Sequence, residues 1–127
     1  MRLTIERLGA KGDGLAQNDG ATIAVPYAAP GDVVDAESGH LLAVLEPGPN
    51  RVAPFCGHYG VCGGCRLQHV APDVYAGWKR GLVATALRNA GIDAPVAPLI
   101  PAHGAGRRRA TFHVVFDRGV ARAGFMA

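Results

Sequence analysis

The sequence has no apolar run that approaches the roughly 20 residues needed to cross a bilayer. Its first residues also lack the long apolar segment of a secretory signal, and an acid, Glu6, stands among them. Cysteine is scarce: there are three, and all of them lie within ten residues of each other. Clustered cysteines that cannot all pair are typical of proteins in a reducing compartment. We therefore expect a cytoplasmic protein that does not span a membrane.

The three cysteines, Cys56, Cys62 and Cys65, form a C-x5-C-x2-C pattern with two glycines inside the last pair. A Cys-x-x-Cys step lets two thiolates point at one ion, and glycines let the backbone fold tightly around it. A disulfide is the competing interpretation, but it would leave one of the three cysteines unpaired. The pattern therefore favours a metal ion or an iron–sulfur cluster bound by thiolates.

Two kinds of metal site remain open on spacing alone, because zinc and iron–sulfur clusters both accept thiolate ligands. In the first, the three cysteines and either His58 or His69 complete a tetrahedral Cys3His zinc site. In the second, the cysteines hold three corners of an iron–sulfur cluster, and the fourth ligand lies outside this sequence. Taken singly, each histidine is more often an ordinary polar residue beside a ligand loop.

The whole stretch at residues 55–70 reads FCGHYGVCGGCRLQHV, and Lys79 follows it. It resembles the iron–sulfur segment of the RNA uracil-C5 methyltransferases, which modify uridines in ribosomal and transfer RNA. The resemblance implies a [4Fe–4S] cluster with Cys56, Cys62 and Cys65 as three of its ligands. It also implies that the fourth ligand is a cysteine further downstream, beyond a basic hairpin and outside this chain.

The first half of the chain has the pattern of short strands separated by turn residues. Strand candidates lie at residues 3–8, 22–26, 32–35 and 41–45. Asn18-Asp19-Gly20 is a hairpin signal because these residues tolerate a positive φ, and Ser38-Gly39 marks a further turn. Together with the strand that a hairpin at residues 18–20 needs before its turn, these candidates make five short strands over about fifty residues, which predict a small closed barrel.

This half also resembles a TRAM domain, a small OB-like β-barrel that precedes the iron–sulfur segment in many of these methyltransferases. The matching residues are Ile5–Gly9, Gly12–Ala16 and Ala29–Asp32. The resemblance implies that the barrel binds RNA. Its residues are acidic on balance, however, so we expect any RNA contact to be weak or confined to a patch near Arg7 and Lys11.

Charge divides the chain into an acidic and a basic half. Residues 1–50 carry three Lys/Arg and seven Asp/Glu, whereas residues 51–127 carry ten and three. Such asymmetry suggests that the second half contacts an anion, most commonly nucleic acid; a solvated basic face is the alternative. The side chains expected to contact RNA are Arg66, Lys79, Arg80, Arg107, Arg108 and Arg109.

A helix is predicted after the cysteine stretch, because Pro72 suits a first helical position and Gly91 a position just past the last turn. Apolar residues recur between them at four-residue steps and form a stripe: Val74, Trp78, Leu82 and Ala86. We expect Trp78 to be a packing residue more readily than a base-stacking one. Residues 92–101 read as an extended connector, and two strands, within 110–116 and 120–126, are predicted around a turn at 117–119.

Together these patterns predict a mainly β protein with one helix: a barrel at residues 1–52 and an incomplete iron–sulfur α+β segment at 53–127. The resemblance implies the N-terminal part of an S-adenosylmethionine-dependent RNA uracil-C5 methyltransferase, acting on ribosomal or transfer RNA. We expect the chain to be truncated at Ala127, to be a monomer and to be inactive alone. It contains no residue assigned to catalysis, and S-adenosylmethionine would bind the missing domain.

Two other functions compete with this interpretation. The first is a stand-alone RNA-binding module with a structural Cys3His zinc site, which needs no ligand from outside the chain. The second is a redox iron–sulfur protein, which is disfavoured because the chain offers only three cysteine ligands beside a basic face.

Overall fold

The computed structural model describes residues 1–101 and 109–126. This part of the chain is mostly β-structure with one helix, as predicted. The strands are β1 (Arg2–Thr4), β2 (Arg7–Leu8), β3 (Gly14–Asn18), β4 (Ala21–Val25), β5 (Val33–Glu37), β6 (His40–Glu46), β7 (His113–Asp117) and β8 (Val120–Gly124). The helix, α1, runs from Pro72 to Asn89 and separates β6 from β7.

The first six strands form two three-stranded antiparallel sheets, ordered β1-β5-β6 and β2-β3-β4. The chain passes from one sheet to the other between β1 and β2. The amide of Ile5 donates to the carbonyl of Asp32, beside β5, and the next amide, of Glu6, donates to Leu15 in β3. The single strand predicted at residues 3–8 therefore consists of two strands, β1 and β2. The barrel-like unit has six strands instead of the predicted five.

The core between these two sheets is small. Its buried apolar side chains are Leu3, Ile5, Ala16, Val25, Ala28, Val34 and Ala36, with Ile23, Leu41 and Val44 partly buried around them. Close packing depends on Gly14, because a Cβ there would lie 2.6 Å from the carbonyl oxygen of Ala28. Most of the buried side chains in this core are alanine or valine. Because these side chains are small, the two sheets must lie close together to fill the core without voids.

The three hairpins in the described part of the chain share one type of turn. Both central residues have a positive φ in each: 49° and 79° at Asp19-Gly20, 50° and 78° at Ser38-Gly39, and 48° and 80° at Arg118-Gly119. Two consecutive positive φ values define a type I′ turn, whose twist matches that of paired strands. The structure confirms all three turns that the sequence predicts.

Helix α1 begins at Pro72 and ends in the glycine motif that the sequence predicts. Gly91 has a φ of 72°, its amide donates to Arg88, and the amide of Ile92 donates to Leu87 at 2.9 Å. The apolar stripe of α1, by contrast, is not covered as a packing face would be. No residue of α1 is fully buried by the described part of the chain, although Val74 and Trp78 are half-buried.

Residues 92–101 have no regular secondary structure, and β7 and β8 form the predicted hairpin. Arg107 and Arg108 lie outside the described residues, whereas Arg109 is described and exposed. Among the described residues, no helix is long and apolar enough to cross a membrane.

Candidate functional site

A buried carboxylate, Asp32, lies where the barrel meets the linker at residues 47–51. Its side chain is fully buried and accepts hydrogen bonds from the amides of Ala29 and Gly48 and from Nε of Arg51, at 2.7–2.9 Å. Burial acts to raise the pKa of Asp32, but the hydrogen bonds from Arg51, Gly48 and Ala29 outweigh it and hold the pKa below its ordinary value. Asp32 is therefore an ionised residue that fixes the linker to the barrel.

The linker in turn pairs with the end of the cysteine loop, which we define as residues 55–70. Arg51 and Val70 form an antiparallel β-bridge, and the amide of Val52 donates to the carbonyl of His69 at 2.9 Å. The first residue before α1, Ala71, donates from its amide to Asn50 at 2.9 Å. The barrel, the cysteine loop and the start of the helix are thus joined through five linker residues.

His69 is a packing residue inside this junction. Its ring is 1% exposed, and its Nδ1 lies 2.5 Å from the hydroxyl of Tyr59, which donates to the carbonyl of Arg66. The hydroxyl of Tyr59 therefore bridges the carbonyl of Arg66 and Nδ1 of His69. The other ring nitrogen of His69, Nε2, is buried and has no hydrogen-bond partner among the residues that the structure describes.

Burial is the main cause of the pKa shifts of Tyr59 and His69. Burial raises the pKa of Tyr59 to about 12. Burial also lowers the pKa of His69, and the charge of Arg51 adds to that effect, whereas the Ala28 backbone and Asp32 oppose it. Both side chains are therefore neutral at physiological pH. The rings of Tyr27 and Tyr59 pack in a T-shaped arrangement, with their centres 5.6 Å apart.

The three cysteines lie in one irregular, hydrogen-bonded loop. All are free thiols: Cys56 and Cys62 are half-buried, and Cys65 is exposed. The amide of Cys56 donates to Oε1 of Gln68 at 3.1 Å, and the amide of Gly64 donates to the sulfur of Cys62 at 3.4 Å. A backbone donor aimed at a cysteine sulfur is the kind of contact that tunes thiolate-bound iron.

The donor atoms fit a soft metal, but the described residues do not assemble them into a ligand set. Within residues 1–101 and 109–126, no three or more His, Cys, Asp or Glu side chains are grouped so that they could hold a metal ion. Neither the cluster nor the Cys3His alternative with His58 or His69 is therefore preassembled here, and both stay predictions.

The end of the β7–β8 hairpin packs against the glycines between Cys62 and Cys65. The amide of Gly63 donates to the carbonyl of Met126 at 2.7 Å. A Cβ on Gly64 would lie 3.2 Å from the ring of Phe125 and 3.4 Å from the sulfur of Cys62. A side chain at position 64 would therefore have to displace the Phe125 ring or the Cys62 thiol by a few tenths of an ångström.

The basic residues predicted to bind RNA do not all lie on one surface. Arg66 is paired with Asp13 of the barrel at 2.7 Å but remains half exposed. Lys79 lies over the ring of Tyr75, with Nζ 5.5 Å from the ring centre. Arg80 donates from Nε to the carbonyl of Val96, away from these two.

Two of these cations, Arg66 and Lys79, line one groove together with Lys11 of the barrel. The groove has a volume of about 1090 Å³ and lies between the cysteine loop, the first half of α1 and residues 99–101. Phe55, which also lines it, is 88% exposed. Phe55 was not singled out from the sequence, although an aromatic residue directly before the first cysteine was a visible signal.

Trp78 has the structural role that the sequence favours. Its indole Nε1 donates to the carbonyl of Gly9 in the barrel at 2.9 Å. Together with the pair between Arg66 and Asp13, this bond holds the loop at residues 9–13 against the cysteine loop and α1. This contact places Lys11 of the barrel loop in the lining of the groove.

Comparison with known proteins agrees with the resemblances found in the sequence. Residues 1–37 match the TRAM domain family. The chain is 46% identical over 116 residues to an RNA methyltransferase of Caulobacter vibrioides, covering 87% of this chain and 28% of the relative. It is 38% identical over 138 residues to the 23S rRNA (uracil(1939)-C(5))-methyltransferase RlmD of Halomonas elongata, covering 98% of this chain and 29% of the relative. The chain thus spans less than a third of the length of these relatives and resembles their N-terminal part.

Proposed function

We propose that this chain is the RNA-binding and iron–sulfur portion of an S-adenosylmethionine-dependent RNA uracil-C5 methyltransferase. The observation that carries the proposal is the similarity to the RlmD enzyme of Halomonas elongata, which extends over 98% of this chain. So complete a match includes the barrel, the cysteine loop and the helix together. The substrate would be a uridine in ribosomal or transfer RNA.

The RNA-binding part of the proposal is supported by the TRAM match and by the position of the cations. The barrel contributes Lys11 to a groove that also receives Arg66 and Lys79 from the basic half of the chain. A local basic surface explains how a barrel with a net negative charge can still contact phosphate. Arg80 and Arg109 are exposed elsewhere and would add contacts outside the groove.

We further propose that Cys56, Cys62 and Cys65 hold a [4Fe–4S] cluster, with a fourth ligand from outside this sequence. The three thiols are free, they share one loop, and the amide of Gly64 already points at the sulfur of Cys62. When bound, the cluster would cross-link the cysteine loop. Two further hydrogen bonds hold the backbone of the loop in place, from the Cys56 amide to Oε1 of Gln68 and from the Gly63 amide to the carbonyl of Met126.

Methyl transfer itself would belong to the remainder of a longer polypeptide. If all three cysteines are ligands, none remains as a nucleophile for C6 of uracil. This portion would then hold the RNA while the other part binds S-adenosylmethionine and exchanges the C5 hydrogen for a methyl group. The cofactor, the uridine and any monomeric state are therefore proposals about the complete protein.

The competing zinc function retains one supporting feature. Nε2 of His69 is buried and has no hydrogen-bond partner within residues 1–101 and 109–126, as expected of an atom that binds a metal. However, Nδ1 of the same ring is engaged by Tyr59, and no second and third donor surround Nε2 in the described part of the chain. Zinc bound to an isolated RNA-binding module is therefore the second candidate.

The direct test is methylation by the complete polypeptide, loaded with iron without oxygen. Transfer to C5 of uracil replaces the C5 hydrogen, so RNA labelled with tritium at C5 should release tritium when S-adenosylmethionine is added. The 127-residue chain alone should release none and serves as the control. Methyl incorporation without tritium release would place the methyl group on another atom and would contradict the proposal.

A further inference from the structure

We infer that the groove lined by Phe55, Lys11, Arg66 and Lys79 holds a single-stranded stretch of RNA, with Phe55 stacking on one base. The inference rests on the proposed function, since that function supplies RNA as the partner. It adds three points to that function: where the RNA binds, that the bound RNA is single-stranded, and which side chain contacts a base and which contact phosphate.

The size of the groove suits a short strand rather than one small molecule. Its volume of about 1090 Å³ slightly exceeds the roughly 300–1,000 Å³ of typical small-ligand pockets, and the groove is only partly enclosed. More than one nucleotide can therefore occupy it, with part of the strand left in contact with solvent.

The charges of the groove are complementary to a phosphate backbone. Its three cations come from three separate elements: Lys11 from the barrel loop, Arg66 from the cysteine loop and Lys79 from α1. One acid, Asp73, also lines the groove, so the balance is positive. The pairing of Arg66 with Asp13 leaves its guanidinium half exposed, with donors still available.

An exposed aromatic side chain among these cations indicates a base-stacking surface. Phe55 is 88% exposed, so both faces of its ring are available to a ligand. Tyr75 lines the same groove, but Lys79 covers one of its faces and Trp78 packs beside it at 6.0 Å. Phe55 is therefore the aromatic residue best placed to receive a base.

This combination of features discriminates between single and double strands. Bases are available for stacking on a side chain only where they are not already stacked within a duplex. A cationic groove with an open aromatic ring is the arrangement that single-strand binding proteins use without reading sequence. We therefore expect binding to single-stranded RNA with little preference for base identity.

The experiment measures the affinity of the 127-residue chain for a labelled uridine-rich single strand and for a blunt duplex of equal length. Phe55→Ala should weaken binding to the single strand by roughly five- to 150-fold, whereas Phe55→Trp should retain it. Lys79→Ala should reduce the slope of log affinity against log salt by about 0.7. The duplex should bind less tightly, and Phe55→Ala should not change its affinity.

Phe116→Ala is the matched control, because Phe116 is also a strongly exposed phenylalanine, at 78%, but lies on β7 outside the groove. If the wild-type chain binds no RNA, the proposed function fails with the inference. If it binds RNA and Phe55→Ala behaves as Phe116→Ala does, the groove assignment alone is overturned. An unchanged RNA affinity combined with a lower melting temperature of Phe55→Ala in the complete polypeptide would show that the groove is covered by protein instead.

Discussion

Arg51 and Asp32 form an ion pair across the boundary between the barrel and the cysteine loop, with Nη2 2.8 Å from Oδ2. The carboxylate is fully buried and the guanidinium is 20% exposed, so solvent screens the pair little. A second Arg51 hydrogen bond, to the carbonyl of Tyr27 at 2.7 Å, fixes the guanidinium to the barrel. Because Arg51 also forms a β-bridge with Val70, the pair helps to hold the cysteine loop against the barrel.

Replacing Asp32 should destabilise the chain strongly. Asp32→Ala leaves the Arg51 guanidinium and two amides without their acceptor, and breaking a buried pair costs about 3–5 kcal/mol. Unfolding in urea, followed by circular dichroism, measures the loss. Asp35→Ala is the control, because Asp35 pairs with the N-terminus at an exposed site and should cost less than about 1 kcal/mol. Equal losses in the two variants would show that the buried pair contributes no more to stability than the exposed one.

Stability should fall as the pH drops below about 6.5. The pKa of His69 in the folded chain lies below its ordinary value of 6.5, so the unfolded chain binds a proton more readily in that window. The stabilisation is complete above 6.5 and is lost as the pH falls toward the folded pKa. The measurement is the unfolding free energy of wild type and His69→Phe between pH 7.5 and 5, and the variant should have the flatter profile.

The control for this experiment is His113→Gln, which removes an exposed histidine on β7. Its profile should follow that of wild type. A second loss of stability is expected below about pH 4 in every variant that retains Asp32, because the pKa of Asp32 lies below its ordinary value and the carboxylate must be protonated there. A His69→Phe profile as steep as wild type above pH 5 would contradict the role given to His69.

Two glycine substitutions should have opposite effects. A Cβ on Gly48 would lie 2.3 Å from the backbone carbon of Gly31, so Gly48→Ala must displace backbone and should lower the melting temperature strongly. Gly81 lies inside α1, where an added Cβ would meet no neighbouring atom within 4 Å, so Gly81→Ala should stabilise the helix by up to about 1 kcal/mol. Thermal unfolding of both variants checks the prediction, and a tolerated Gly48→Ala would refute the close approach of linker and barrel.

The elements set by local rules are the ones that the sequence predicts well. The turn at Asn18-Asp19-Gly20 and the helix end at Gly91 are recognisable because only certain residues adopt a positive φ easily. The helix start at Pro72 follows from the same kind of local constraint. These features need no information about distant parts of the chain, and the structure confirms each of them.

The features that depend on distant contacts were the ones missed. Asp32 was predicted only as the first residue of a strand, and nothing local reveals its partner nineteen positions later, Arg51. The apolar stripe of α1 predicts packing, and Val74 and Trp78 line a pocket together with barrel residues, but no residue of the helix is buried by the described part of the chain. Whether the three thiols converge on one metal is likewise decided by the folding of a whole loop, so the ligand assignment stays a prediction; the described residues show no preassembled group of three metal-binding side chains.

Loss of one cysteine should remove the proposed cluster. The complete polypeptide, purified without oxygen, should contain about four iron and four sulfide per chain. Cys62→Ser should contain far less of both and should melt at a lower temperature, because a hydroxyl is a poor replacement for a thiolate ligand. Val61→Ala, at an exposed neighbour in the same loop, is the control. Stoichiometric zinc without iron, or a Cys62→Ser protein that keeps its iron, would exclude the cluster on these residues.

RNA binding through the cations of this chain is the central claim. The most direct measurement is the affinity of the 127-residue chain for a uridine-rich single strand over a range of salt concentrations. If Lys11, Arg66 and Lys79 each neutralise one phosphate, log affinity should fall linearly with log salt, with a slope of about −2 or steeper. No measurable binding at low salt, or an affinity that does not change with salt, would contradict the claim.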